Sequence, residues 1–480
     1  MYDGVGNGPG TEEQGGVGMR GSSMPDVGDY NERLVLQAIR RSEEGVAQVE
    51  VAELSGLSRQ AVSVITRRLL GRGLIEVAGR RLLGRGKPQT LLRMRPMSGL
   101  AAGIHLDPWF ITVTIVDLLA RPLARVSIDP PTDDPASDVE RIRAALSSLF
   151  PRAVADVSAA PECHEASGDL PGPAVADGAV AADGTDGEGA GAGPGAGTGF
   201  PDPRLLGIGI AAPGGLDTVR GVVTDPPWLP GWRDVPIARL LAEAVGVPTY
   251  LDKDTSAALT GERWSRHLPA DETVLYLYVG SGIGSAVSTG GRVHRGGTGQ
   301  AGEIGHFPTG LSGPRCICGR YSCLNLFTDT EAMVSRARRE GILDAPECQG
   351  NSHGLECLVR AAESEQPQAL EVLTDHGRAL GEVLRTLLNV HDPDRVIIGG
   401  PSWKLLAPTV LPVVRRRALA GAPGADPSII ESAEVGDDVG AIGAASIVLE
   451  QEMDPSSSEY REVGRNVPAL RTAQETGASA

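Results

Sequence analysis

Apolar residues recur along this chain with two different periods, and the change of period divides it. Between residues 30 and 96, Leu34, Ile39, Val51, Leu54, Val62, Ile65 and Leu69 fall at helical spacing and predict three short helices. Ser55-Gly56-Leu57 interrupts them with a tight turn in which Gly56 can take a positive φ, and Ser58 stands where an N-cap opens the third helix. The pattern is a helix-turn-helix whose second helix is SRQAVSVITRRLL. GLIEVAG and QTLLRM then read as two strands joined by RRLLGRGKP, a basic wing. Beyond residue 97 the runs become β-rich. LLGIGIAAPGGLD, VPTYLDKDTSAALTGE, TVLYLYVGSGIGSAVSTGGRVHRGG and DRVIIGGPSW read as strands ending in Gly-rich turns. Helical stretches such as ALEVLTDHGRALGEVLRTLLNVH intervene, and the alternation predicts a two-lobed α/β fold.

Stretches without periodicity mark the boundaries. Residues 1–28 are Gly-rich and residues 156–203 are low-complexity with almost no large apolar side chains, so neither can bury enough surface to offset its ordering entropy. The expected organisation is a disordered N-terminus (1–28), a winged helix-turn-helix (30–96) and a first lobe (97–250) carrying a disordered insertion (156–203). A second lobe (251–452) follows, its C-terminal helix returning to the first, and then a flexible tail (453–480). Cys163 and His164 fall in the insertion and are given no role.

Composition narrows the class. No apolar run reaches the roughly 18–20 residues of a membrane span, and the first residues have neither a basic start nor an apolar segment, so a cytoplasmic protein without a membrane partner is expected. In a reducing compartment disulfides are rare, and clustered cysteines more often bind metal or do chemistry. The net charge of −17 is uneven: residues 30–96 carry 13 Lys and Arg against 6 Asp and Glu, leaving −24 on the rest of the chain. A basic module on an acidic body suggests a local nucleic-acid contact; a solvated, arginine-rich helix face is the alternative.

GHFPTGLSGPRCICGRYSC holds one imidazole and three thiols, at His306, Cys316, Cys318 and Cys323. Cys316 and Cys318 are too close for an easy disulfide, and Gly319 permits a turn that aims sulfurs inward. Four such ligands match a closed tetrahedral structural zinc site.

GIGIAAPGGLD, PPWLPGW, LDKDTSAALTGE, VGSGIGSAV, GQAGEIGH and CICGRYSCLN, in this order, resemble the ROK family of repressors, open reading frames and sugar kinases over about residues 98–450. The preceding module resembles the winged helix of its repressor branch. The resemblance implies an actin-like, hexokinase-type ATPase fold and one structural zinc on His306, Cys316, Cys318 and Cys323. In such winged helices Arg59, Gln60 and Ser63 would face base edges, and Arg67, Arg68, Arg85 and Lys87 would reach phosphates or the minor groove. The sugar contacts implied are Glu303 and His306, with Trp228 and Asn325 replacing a family Asn and Glu. Asp254 matches the family's catalytic base. At the first phosphate loop His105 replaces the family acid, and Asp107-Pro108-Trp109 replace Gly-Gly-Thr; Pro removes an N–H and Trp blocks the backbone's approach to phosphate.

The expected protein is thus a transcriptional regulator, a repressor that binds double-stranded operator DNA as a homo-oligomer, dimer or tetramer. A sugar or sugar derivative between the lobes would be its effector. Two alternatives stay open: a sugar kinase with Asp254 as base, and an effector-independent DNA-binding scaffold.

Overall fold

The computed structural model describes residues 24–81, 88–155, 201–224, 226, 229–421 and 426–454. The basic module contains helices α1 (Met24–Arg40), α2 (Gln48–Ser55) and α3 (Arg59–Gly71) and strands β1 (Val46–Ala47), β2 (Ile75–Arg81) and β3 (Gln89–Met94). Gly56, at φ 69°, ends α2, and the Ser58 hydroxyl accepts the Ala61 N–H at 3.2 Å to cap α3. β3 runs between β1 and β2, antiparallel to both, closing a winged helix. One expectation needs correcting: α1 starts at Met24, inside the segment expected to be disordered. Pro25 sits in its first turn, where a missing N–H breaks no helical bond. Most of the wing tip (82–87), most of the 156–203 insertion and the tail from 455 lie outside the described residues.

The first lobe comprises β4 (Leu100–Asp107), β5 (Phe110–Asp117), β6 (Pro122–Ile128), α4 (Pro135–Ala155), β7 (Leu205–Ala212), the short ribbon β8 (Leu216–Asp217) and β9 (Val222–Val223), α5 (Ile237–Val245) and β10 (Thr249–Lys253). After α6 (Asp254–Ser265), the second lobe contains β11 (Val274–Val279), β12 (Ile283–Thr289), β13 (Arg292–Val293), α7 (Asn325–Thr328), α8 (Thr330–Arg339), α9 (Asn351–Glu363), α10 (Pro367–His391), β14 (Arg395–Gly399), α11 (Trp403–Ala418) and β15 (Ile430–Ser432). The chain then enters α12 (Val439–Met453).

The two main sheets repeat one topology. Their orders are β10-β7-β4-β5-β6 and β13-β12-β11-β14-β15. In each, three strands form an antiparallel meander, a fourth joins its first strand in parallel, and a fifth joins the fourth in parallel. The first hairpin turn of each lobe, residues 107–110 and 279–283, therefore sits at an equivalent place, and the two turns meet: the Ser281 hydroxyl donates to Asp107 at 3.4 Å. Strands such as β4 and β11 are buried along their whole length, so they read as continuous apolar runs.

Helix α12 is apolar on nearly every face, a pattern that demands a central position. It lies on β4 and β7 of the first sheet and against α6. Its seat leaves no room for side chains: a Cβ on Gly103 would lie 1.9 Å from the Ala441 carbonyl oxygen, and one on Gly209 1.7 Å from that of Ala444.

The basic module docks onto this helix pair through α1. Arg33 donates to the Asp454 carbonyl at 3.1 Å and Gln37 to that of Met453 at 3.3 Å, at the C-terminal end of α12. Arg40 is buried, with its guanidinium 3.8 Å from the Trp264 ring centroid; it donates to the Trp264 carbonyl at 2.7 Å and to His267 Nδ1 at 2.9 Å. Val35, Leu36 and Ile39 share one apolar cluster with Trp264, Val448 and Met453.

Gly209→Ala should destabilise the full chain by about 1–3 kcal/mol or more, because backbone must move to admit the methyl. Gly297→Ala, which meets nothing within 4 Å, is the control. Equal urea midpoints for the two variants would contradict this account of the seat.

Candidate functional site

Three clusters carry the chemistry. On α3, Val62, Ile65, Thr66 and Leu69 are buried, and they turn Arg59, Gln60, Val64, Arg67 and Arg68 outward. Arg59, Gln60 and Arg67 make no side-chain hydrogen bond or ion pair among the described residues, so they are available to a partner. Arg68 is less so, since it pairs with Glu32 of α1, as does Arg72. Ser63 is half-buried, at the edge of the exposed face. Val64, which the sequence reading passed over, stands near the middle of that face; a helical projection of the same residues locates it. Arg85 and Lys87 lie outside the described residues.

The cysteine knuckle is shaped by its own backbone. The Gly319 N–H donates to the Cys316 carbonyl at 2.9 Å and the Cys316 N–H to that of Arg320 at 2.7 Å, while Pro308 pairs with Cys323 as an isolated bridge. The ligand atoms of His306, Cys316, Cys318 and Cys323 all lie within 4.8 Å of one another. Cys316 Sγ is 3.4 Å from His306 Nδ1, and Cys318 Sγ is 3.5 Å from Cys323 Sγ. A tetrahedral ion with bonds of about 2.3 Å to sulfur would set such edges near 3.8 Å, so donor chemistry and spacing both suit one four-coordinate metal. Cys316 and Cys323 are buried and Cys318 is exposed. Elsewhere Cys348 and Cys357 form a disulfide across the start of α9, with Cα atoms 5.9 Å apart, against the expectation that disulfides are rare in this chain. The nine-residue spacing places them across a short 3-10 turn and the first turns of the helix, within bonding reach.

The interlobe cleft gathers carboxyl groups. Asp254 opens α6 and accepts the Thr255 N–H at 2.7 Å; burial pushes its pKa up to about 7, a rise that Lys253 opposes and Glu303 and Asp107 add to. Burial likewise raises Asp107 to about 6, against hydrogen bonds from the Trp109 N–H (2.9 Å) and Ser281. Asp329, beside the second turn, is raised to about 7 by burial. His105, enclosed with its Nε2 3.4 Å from the Tyr278 hydroxyl, is pushed down to about 4 by burial and stays neutral. Lys253 forms an ion pair with Glu303 at 2.7 Å. That contact spans fifty residues and leaves no local trace in the sequence.

Of the proposed sugar contacts, Asp254 and Glu303 are thus joined through Lys253. His306 and Asn325 are joined through Cys316, whose Sγ lies 3.8 Å from the Asn325 carboxamide oxygen. The Glu303 side chain is 51% exposed and open to a ligand. Trp228 lies outside the described residues. No helix among the described residues is long and apolar enough to cross a membrane.

The ROK family model matches residues 202–451. A glucokinase of Halalkalibacterium halodurans is 30% identical over 259 residues, covering 52% of this chain and 77% of that enzyme. A xylose repressor of Caldicellulosiruptor bescii is 28% identical over 200 residues, covering 41% of this chain and 50% of the repressor. The chain thus spans about half the length of the curated repressors it matches. Among solved structures, a ROK family transcriptional regulator described as a homologue of the E. coli MLC protein superposes with a TM-score of 0.63 at 19% identity. It covers 90% of this chain and 98% of its own, and fixes the fold as the two-lobed actin-like type behind a winged helix.

Asp254, half-buried and poorly solvated in the cleft, makes stability depend on pH. Asp254 has a raised folded-state pKa, so between about pH 4 and pH 7 the native state holds a proton that the unfolded state has lost, and stability falls as pH rises. Asp254→Asn removes this penalty. Its melting temperature should gain on that of the parent from pH 4 to pH 7 and run parallel above; a constant difference across that range would refute the burial.

Proposed function

We propose, from the premise that the chain belongs to the ROK family, that it is a DNA-binding transcriptional regulator acting as a repressor of sugar-related genes. The observation that carries this reading is the outward face of α3, where Arg59, Gln60 and Arg67 find no partner within the described residues. A capped second helix, a positive module and a sheet that forms a wing support it further. Matches to proteins named xylose repressor support the sugar-related role. As a helix-turn-helix protein it would bind two half-sites as a homo-oligomer.

The effector would be a sugar or sugar derivative between the lobes, held by Asp254, Glu303, His306 and Asn325. One zinc on His306, Cys316, Cys318 and Cys323 would fix the loop that carries His306, and with it the imidazole's orientation. Phosphoryl transfer is the second reading, favoured by Asp254 and by the glucokinase match. The hairpin turns argue against it. An Asp107 carboxylate, hydrogen-bonded to Trp109 and Ser281, lies where a phosphate would need open N–H groups, and Lys253 is already paired with Glu303.

In gel shifts of the full chain with DNA upstream of its own gene and neighbouring ones, Arg59→Ala should narrow the gap between preferred and random DNA. Arg67→Ala should weaken both alike and lower the salt slope by about one. Parent protein that prefers no sequence, or variants that bind like the parent, would sink the reading. Metal analysis of protein purified without chelators should find one zinc per chain. Cys318→Ser should lose it and melt at a lower temperature, because a structural ion contributes to folding free energy. Zinc-free parent protein would refute that assignment.

A further inference from the structure

The middle of the outward face of α3 is not polar. With 3.6 residues per turn, Val62, Ile65, Thr66 and Leu69 form the buried stripe, and Gln60, Val64, Arg67 and Gly71 fall on the opposite one. Val64 is 63% exposed. The fold gains nothing from a β-branched hydrocarbon there: it contacts solvent, and its helix propensity is below that of Ala or Arg. An isolated exposed apolar residue is ordinary, so its neighbours decide its meaning. One turn before it stands Gln60 and one turn after it Arg67, both without partners among the described residues and both suited to the edges or phosphates of DNA. The positive charge of the module favours a polyanion over an apolar protein surface. In the major groove the group that an aliphatic side chain can read is the C5-methyl of thymine.

We infer that Val64 is a specificity residue that reads a thymine methyl, with Gln60 placed one turn earlier to meet a neighbouring base pair. The inference rests on the DNA-binding reading and adds to it the identity of one base. Because Val64 carries no charge, it sets which sequence is preferred and leaves the electrostatic part of binding unchanged.

The test begins with the full chain selecting from a pool of random duplexes. Each thymine of the enriched half-site is then replaced singly by deoxyuridine, which removes only the C5-methyl. One thymine per half-site should show a loss of affinity of about threefold to fivefold in the parent, the scale of one buried methyl contact. Val64→Ala should bind the thymine and deoxyuridine duplexes equally, while keeping the parent's affinity for random DNA at low salt and its salt slope. That retained binding shows the variant to be folded. If the parent selects a sequence but tolerates deoxyuridine everywhere, or if Val64→Ala keeps the same penalty, the inference is overturned and DNA binding stands. If no sequence is enriched, the DNA-binding reading falls and takes this one with it.

Discussion

The packing of α12 against the backbone of the first sheet is the constraint on which the rest of the structure depends. Helices normally sit about 8–10 Å from what they pack on because side chains intervene. Here glycines at 103 and 209 on the sheet, and at 261 and 443 where α6 meets α12, let main chain touch main chain. So close a contact permits little sliding, since a small displacement becomes a steric overlap rather than a change of rotamer. Three things then follow from one seat. The last helix of the chain is tied to the first lobe, α6 is held at a fixed angle to it, and the ends of both helices form the platform for α1.

That platform is where the basic module stops being an independent bead. Arg40 is enclosed, stacked on Trp264 and bonded to the carbonyl that ends α6, while Gln37 and Arg33 bind the carbonyls that end α12. Free carbonyls at helix C-termini carry partial negative charge, and cationic side chains are well placed there. A buried guanidinium is tolerable only because its donors are used: Gln37 Oε1 accepts from both Nε and Nη2 at 3.1 and 3.0 Å. Apolar contacts alone would let the module swivel, whereas directional bonds to two helix ends set its orientation.

Much of this was legible in the sequence, and the reasons differ by element. The helix-turn-helix was readable because its signals are local: Gly56 and Ser58 act within a few residues of where they stand. The cysteine knuckle was readable because four ligands with few alternative uses fall within eighteen residues. What escaped was non-local or lay in a projection the linear string hides. The pairing of Lys253 with Glu303 and the burial of Arg40 join distant segments. Val64 needed the helix to be turned on its axis. Asp107 could be read as a lost glycine, but its hydrogen bond to Ser281 depends on two lobes presenting equivalent hairpins to each other. The Cys348–Cys357 bond ran against a general expectation about compartments because its cause is geometric and local to the start of α9.

Helix α6 links the two regions to which the proposed function assigns different ligands. Asp254 begins it inside the cleft, and Trp264 near its end holds Arg40 of the basic module. Ten residue steps at about 1.5 Å each place these groups some 15 Å apart on one rigid element. A sugar bound at Asp254 therefore need not send a signal through a chain of small displacements. If closing the lobes moves α6 and α12 together as one body, the module must move with them or break the Arg40 contacts, and under the proposed function either event would change the spacing of the DNA-reading helices. The size of the response is bounded by the ligand's own preference: a hundredfold change in operator affinity requires about 2.7 kcal/mol of differential binding between the two lobe arrangements. Ion pairing of Lys253 with Glu303 already holds part of the cleft together without ligand. Under the proposed function, a neutral sugar that only replaced this pair would shift little, and an effective ligand would also have to engage the second lobe's His306 and Asn325.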